Sequence, residues 1–127
     1  MNVKLDTKEK FTVLTPNEHD IPANMTAELN DLLFPYLEKD PPHIILNLKQ
    51  VINISEEAID TIAGLQQQFY DRNASFIVCE LQNNVEILIE EKHLLATMNI
   101  TPTESEAWDI VQMEQIEREI MGGDWGN

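Results

Sequence analysis

The chain has 127 residues with 43% hydrophobic and 24% charged side chains, enough apolar material for one core and too little length for two. Four glycines and six prolines exclude a fibrous or globally disordered chain, and a formal net charge of −15 repels phosphate backbones and anionic lipid heads, so nucleic acid and membrane surfaces are poor partners. In chain order, Asn2-Val3-Lys4-Leu5 and the alternating Lys10-Phe11-Thr12-Val13-Leu14 read as two strands of an amino-terminal hairpin. Leu29, Leu32, Leu33, Tyr36 and Leu37 keep the spacing of an amphipathic helix that Asp40-Pro41-Pro42 ends. Ile44-Ile45-Leu46-Asn47-Leu48 and Phe76-Ile77-Val78-Cys79 are short apolar runs of the kind that form strands buried on both faces. Between them, Ala58, Ile59, Ile62, Ala63 and Phe69 form a helical stripe, and the whole unit has the length of a right-handed βαβ crossover with a parallel sheet centre. Asn83 with Glu86 predicts a capped third helix carrying Val85, Leu88 and Ile89, and Met98-Asn99-Ile100 predicts a short strand. Thr103-Glu104-Ser105-Glu106 is a capping box for a last helix through Ala107, Ile110, Val111 and Ile120, closed by Gly122-Gly123.

Sequence features narrow the chemistry further. Cys79 is the only cysteine, which excludes an intramolecular disulfide and a multi-cysteine metal cluster, and its apolar neighbours make it a core residue. Met1 to Asp6 has no secretory signal and no run reaches the length of a membrane span, so a cytoplasmic location and no membrane insertion are expected. His19, His43 and His93 lack metal-ligand spacing and read as solvated side chains; Gly64 stands alone, so no glycine-rich phosphate loop exists. Adjacent pairs such as Glu90-Glu91 point to different sides of a helix rather than forming a catalytic pair. The expectation is a non-catalytic domain without cofactor or metal. Residues 103–127 carry seven acidic side chains against the single Arg118, beside Trp108 and Trp125. Trp108 is expected to cover the core edge and Trp125 to lie in a flexible tail over 122–127, after a single domain over 1–121; a surface for a basic partner is the alternative for this acidic quarter.

The order of these pieces resembles the STAS domain family of bacterial anti-sigma factor antagonists. The resemblance is carried by Phe11-Thr12-Val13-Leu14 with Asn17-Glu18-His19-Asp20 and Ala27-Glu28-Leu29, by Ile44-Ile45-Leu46-Asn47-Leu48 with Val51 and Ile54, and by Phe76 to Cys79, Val85, and Thr103 with Glu106-Ala107. It covers residues 2 to 119. It implies an α/β fold, with a mixed sheet of four to five strands, a parallel centre and about four helices. It also implies a role in signal transduction and transcription regulation through a protein partner, such as an anti-sigma factor kinase or a related regulator.

In that family the junction before the signature helix reads Asp-Ser-Ser-Gly, and its second Ser takes a phosphoryl group from the partner kinase. Here the motif falls on Ser55-Glu56-Glu57-Ala58, which places Glu57 at the acceptor position. Glu has no hydroxyl to accept a phosphoryl group, and it carries about one permanent negative charge where phosphoserine carries about 1.5 to 2. Ser55, Glu56, Glu57, Ala58 and Asp60 are therefore the expected partner-binding residues. A register shift of one or two positions would instead make Ser55 the acceptor. The residues also have a purely local account: Ser55 caps a helix whose positive end stabilises Glu56 and Glu57 by about 0.3 to 1 kcal/mol each. The resemblance leaves a second role open, that of a soluble STAS subunit of a membrane lipid or anion transport complex.

Overall fold

A computed structural model describes residues 1–123. Its elements run β1 (Val3–Thr7), β2 (Thr12–Pro16), β3 (Asp20–Ile21), α1 (Thr26–Leu33), β4 (Ile44–Asn47), β5 (Asn53–Ile54), α2 (Glu56–Asp71), β6 (Phe76–Cys79), α3 (Asn83–Glu91), β7 (Ile100–Thr101) and α4 (Glu104–Arg118). The main sheet has the order β1-β2-β4-β6-β7. Its β1–β2 hairpin is antiparallel, with Leu5 opposite Leu14, and every further pairing is parallel. The expected mixed sheet with a parallel centre is what the chain forms.

The two apolar runs explain the layering. Side chains alternate across a strand, so a run that is apolar at every position must be covered on both sides. In β2, β4 and β6, Leu14, Ile44, Leu46, Phe76 and Val78 join the core built with Leu29, Leu33, Ile59, Ile62, Phe69, Val85 and Ile89 from α1, α2 and α3. Their neighbours Val13, Ile45, Ile77 and Cys79 face the other way and meet Ala107, Val111 and Trp108 of α4. Three helices thus cover one face and α4 the other. Trp108 sits at the edge of the second core, its ring 5.3 Å from Phe11 in an edge-to-face contact, as its sequence position leads one to expect. Trp125 lies outside the described residues.

Four local expectations are corrected. The stripe from Leu29 to Leu37 does turn inward, but the α-helix stops at Leu33 and Phe34–Glu38 continue as a tighter 3-10 turn. Pro35 is the reason, since in a regular helix it would lack the N–H for the carbonyl four residues back and clash with it. Gln82, not Asn83, is the N-cap of α3, and its side chain makes no capping hydrogen bond there; Gln82 instead donates to the Lys49 carbonyl at 2.6 Å. The regular part of α4 ends at Arg118, and a wider π segment, Glu119–Gly123, follows it. His43 is buried rather than solvated: its Nδ1 accepts the Ser75 backbone N–H at 3.0 Å and its Nε2 stands 3.2 Å from Gln115 Oε1.

A second sheet, β3 paired in parallel with β5, escaped the sequence reading. Each strand has two residues, too few for any periodicity to register. It ties the segment after β2 to the segment that leads into α2.

Candidate functional site

Parallel strands connected by helices bring all following loops to one edge of the sheet, beyond the strands' carboxyl ends, and that edge is where such folds place their functional groups. Here the edge collects the amino ends of α2, α3 and α4. Each helix end offers unpaired N–H groups and a partial positive charge, a natural anion site.

At α2 and α4 the chain fills these positions with its own oxygen atoms. At α2, Ser55 has extended backbone angles and its Oγ accepts the Ala58 N–H at 3.1 Å, which makes it the cap that its sequence context predicts. Glu56 and Glu57 occupy the first turn and are exposed. At α4, Thr103 Oγ1 accepts the Glu106 N–H at 3.2 Å and donates to the Glu106 carboxylate at 3.2 Å. Glu80 reaches across from the end of β6 to accept the Glu104 N–H at 3.0 Å. Its backbone sits in the left-handed region at φ 57°, an unusual conformation for a residue with a side chain, which the surrounding contacts hold. Glu104 in turn accepts from Asn47 Nδ2 at 3.0 Å and from Trp108 Nε1 at 3.1 Å. Glu80 and its role were not legible in sequence, where it is one acid among many.

The α2 end is held on a small platform. The His19 carbonyl accepts the N–H groups of Ile52 and Asn53 at 2.8 and 3.0 Å, and the Ile21 carbonyl accepts that of Ser55 at 2.8 Å. Asn53 Nδ2 donates to Asp20 Oδ1 at 2.9 Å. The backbone around Ser55 is therefore fixed by neighbours distant in sequence, not only by its own helix. Asp60, one turn on, pairs with Lys92 of the α3 end at 3.1 Å.

Of the five expected site residues, Ser55, Glu56, Glu57 and Asp60 lie together on the accessible start of α2. Ala58 is fully buried in the core, so its side chain has no surface to offer. It contributes the N–H that Ser55 caps. The histidines do not join this edge as a group: His19 is on the platform, His43 lies under α4 and His93 is exposed after α3. Among the described residues no three His, Cys, Asp or Glu side chains are arranged to hold a metal ion, and no helix is long and apolar enough to cross a membrane. The thiol of Cys79 is wholly buried, and burial, with the Glu80 and Glu104 carboxylates, pushes its pKa up to about 12.

Comparison with known proteins decides the family. The STAS domain model matches residues 2–107 of this chain. The chain belongs to the STAS domain family. No curated protein sequence matches it. Among solved structures, this STAS domain is similar to a candidate anti-sigma factor antagonist from Thermotoga maritima, with a TM-score of 0.78 at 20% identity over 87% of this chain and 94% of that one. It is similar to the phosphorylated form of the Bacillus cell fate determinant SpoIIAA, with a TM-score of 0.63 at 13% identity over 87% of this chain and 99% of that one. It also resembles part of the murine Solute Carrier 26 family member A9 anion transporter, with a TM-score of 0.67 at 11% identity over 82% of this chain and 18% of that one. These likenesses are likenesses of fold.

Proposed function

We propose that this STAS domain is a non-catalytic regulatory module that binds a protein partner through Ser55, Glu56, Glu57 and Asp60, with Glu57 as a fixed charge in place of a phosphorylated serine. One observation carries the reading: two exposed carboxylates stand in the first turn of α2, directly after Ser55, which caps the helix and is pinned by neighbours distant in sequence. The anti-sigma factor antagonists of similar fold point to a protein partner, and the phosphorylated SpoIIAA points to switching by phosphate in that relative. Here the charge is built in, so the surface has one electrostatic state instead of two. A partner with a basic contact patch suits it, an anti-sigma factor kinase or related regulator adapted to a permanently acidic junction.

The test uses a partner recovered by affinity capture on the full chain. Charge reversal by Glu56→Lys with Glu57→Lys should lower its recovery at least about tenfold, since opposed charges at a contact become like charges. Unchanged recovery overturns this surface. Incubation with an anti-sigma factor kinase and ATP should leave the intact mass unchanged, whereas a single phosphate on Ser55 overturns the fixed-charge reading.

The fold shared with the anion transporter supports a second reading, a STAS subunit of a membrane lipid or anion transport complex. Co-purification with a permease in detergent, insensitive to Glu56→Lys with Glu57→Lys, would favour it over the first.

A further inference from the structure

The outer side of α4 is unlike the rest of the surface. Met113, Ile116 and Ile120 are spaced three and four residues apart and are 55%, 54% and 51% exposed. A helix that covers a sheet face turns its apolar stripe inward and keeps its outer side polar. α4 has the inward stripe, through Ala107 and Val111, and carries this second stripe on its back.

Charge surrounds the second stripe unevenly. Glu106, Asp109, Glu117 and Glu119 are all exposed along it. Arg118, the one cation of α4, is turned away: it donates to Ser75 Oγ at 2.6 Å and to Gln115 Oε1 at 3.3 Å and stands 3.7 Å from Glu114. Lys8, in the neighbouring hairpin turn, is held by Asp6 at 3.2 Å and over the Trp108 ring at 4.9 Å. A groove of about 470 Å³ with Phe11, Trp108 and Ile116 among its walls opens on one flank of the stripe, where the hairpin turn adds Lys8, Glu9 and Lys10; the other flank, with Glu106, Asp109 and Glu117, is acidic. The family model matches residues 2–107, so the stripe lies beyond the matched segment.

We infer that the back of α4 is a docking surface for a basic amphipathic helix of a partner protein. An apolar stripe rimmed by carboxylates is the complement of a helix with leucine-like residues on one side and lysine or arginine along its flanks. A second copy of this chain is the poorer occupant. Two such stripes in contact would set carboxylate rims against one another, between molecules that each carry −15. α4 lies across the sheet from α2, so this surface and the Glu56–Glu57 junction belong to different faces of the domain.

The experiment records amide shifts of the isotope-labelled full chain during titration with a synthetic peptide of about 18 residues, long enough for five helical turns. The peptide carries leucines at i, i+3, i+4 and i+7 and lysines elsewhere; a scrambled peptide of equal composition and charge is the control. Saturable shifts centred on 106–121 with the ordered peptide, at least about tenfold weaker with the scrambled one, are expected. Ile116→Ser should weaken binding about tenfold, as loss of a central apolar anchor does. Leu5→Ser, an exposed leucine on the far edge strand, should not. Both variants remove an exposed side chain, and a retained amide spectrum verifies their fold. Equal binding of both peptides, no binding, or shifts centred on 55–60 instead would overturn the inference. So would a concentration-dependent dimer in sedimentation that Ile116→Ser abolishes.

Discussion

Arg118 donates to the hydroxyl of Ser75 across 2.6 Å, joining α4 to the residue just before β6 over 43 positions of sequence. The same hydroxyl donates to Glu114 Oε1 at 2.6 Å, and the Ser75 N–H is the one that His43 accepts. Ser75 is 1% exposed, so it sits as a buried hub for two charged side chains and a histidine. Ser75→Ala should destabilise the domain by about 2 kcal/mol, the cost of removing hydrogen bonds to charged groups in a buried place. Urea denaturation measures this, and a change within about 0.5 kcal/mol, the range of neutral surface substitutions, would show that the hub carries no stability.

His43 gives this hub a pH dependence. Its Nδ1 accepts from Ser75, so the native ring is neutral with its proton on Nε2, facing Gln115. Burial first, then the positive Arg118, hold its pKa below the usual 6.5, against weaker raising effects from Gln115, Glu114 and Asp40. Below about pH 6.5 the unfolded chain binds a proton that the native ring refuses, so the stability present above that pH is lost as pH falls through the native pKa. Unfolding free energies at pH 7.5 and 5.5 should differ more in the wild type than in His43→Asn. Equal differences in the two proteins would remove His43 as the cause.

Ser55→Ala should cost about 1 kcal/mol, the usual loss for an N-cap, and Thr103→Ala a similar amount at α4. The two costs should add, because the caps serve helices on opposite faces of the sheet. Thermal melts of the single and double variants check this, and a double variant no less stable than either single one would contradict independent capping.

Cys79 should be inert. A thiol buried at 0% exposure, with its pKa pushed up to about 12, offers almost no thiolate near neutral pH. A colorimetric thiol reagent at pH 8 should release no signal from the folded protein and one equivalent after unfolding in urea. Prompt reaction of the native protein would mean that the second core opens readily.

What the sequence disclosed and what it hid follow from the range of the interactions. β4 and β6 were legible because a short, mostly apolar run has few other fates, and α2 because its stripe runs about three turns. Ser55 and Thr103 were legible as caps because capping acts over three residues. His43 was not: its burial depends on Ser75 and Gln115, 32 and 72 positions away, and on α4 lying across the sheet. The β3–β5 pair was equally hidden, as its partners are 33 residues apart and neither strand has a period. At the candidate site, local reading found the acidic first turn and the cap, while Ala58 fell on the inner side of the same turn.

Because one helix alone roofs the side of the sheet that holds Val13, Ile45, Ile77 and Cys79, and that helix is the last described in the chain, the order of synthesis matters. A nascent chain released from the ribosome tunnel only as far as Thr103 already owns every described strand, yet its second side is bare apolar surface. Chaperone contact during translation should therefore concentrate in the interval before α4 emerges, and a transcript cut short there would yield a sticky product rather than a smaller working domain.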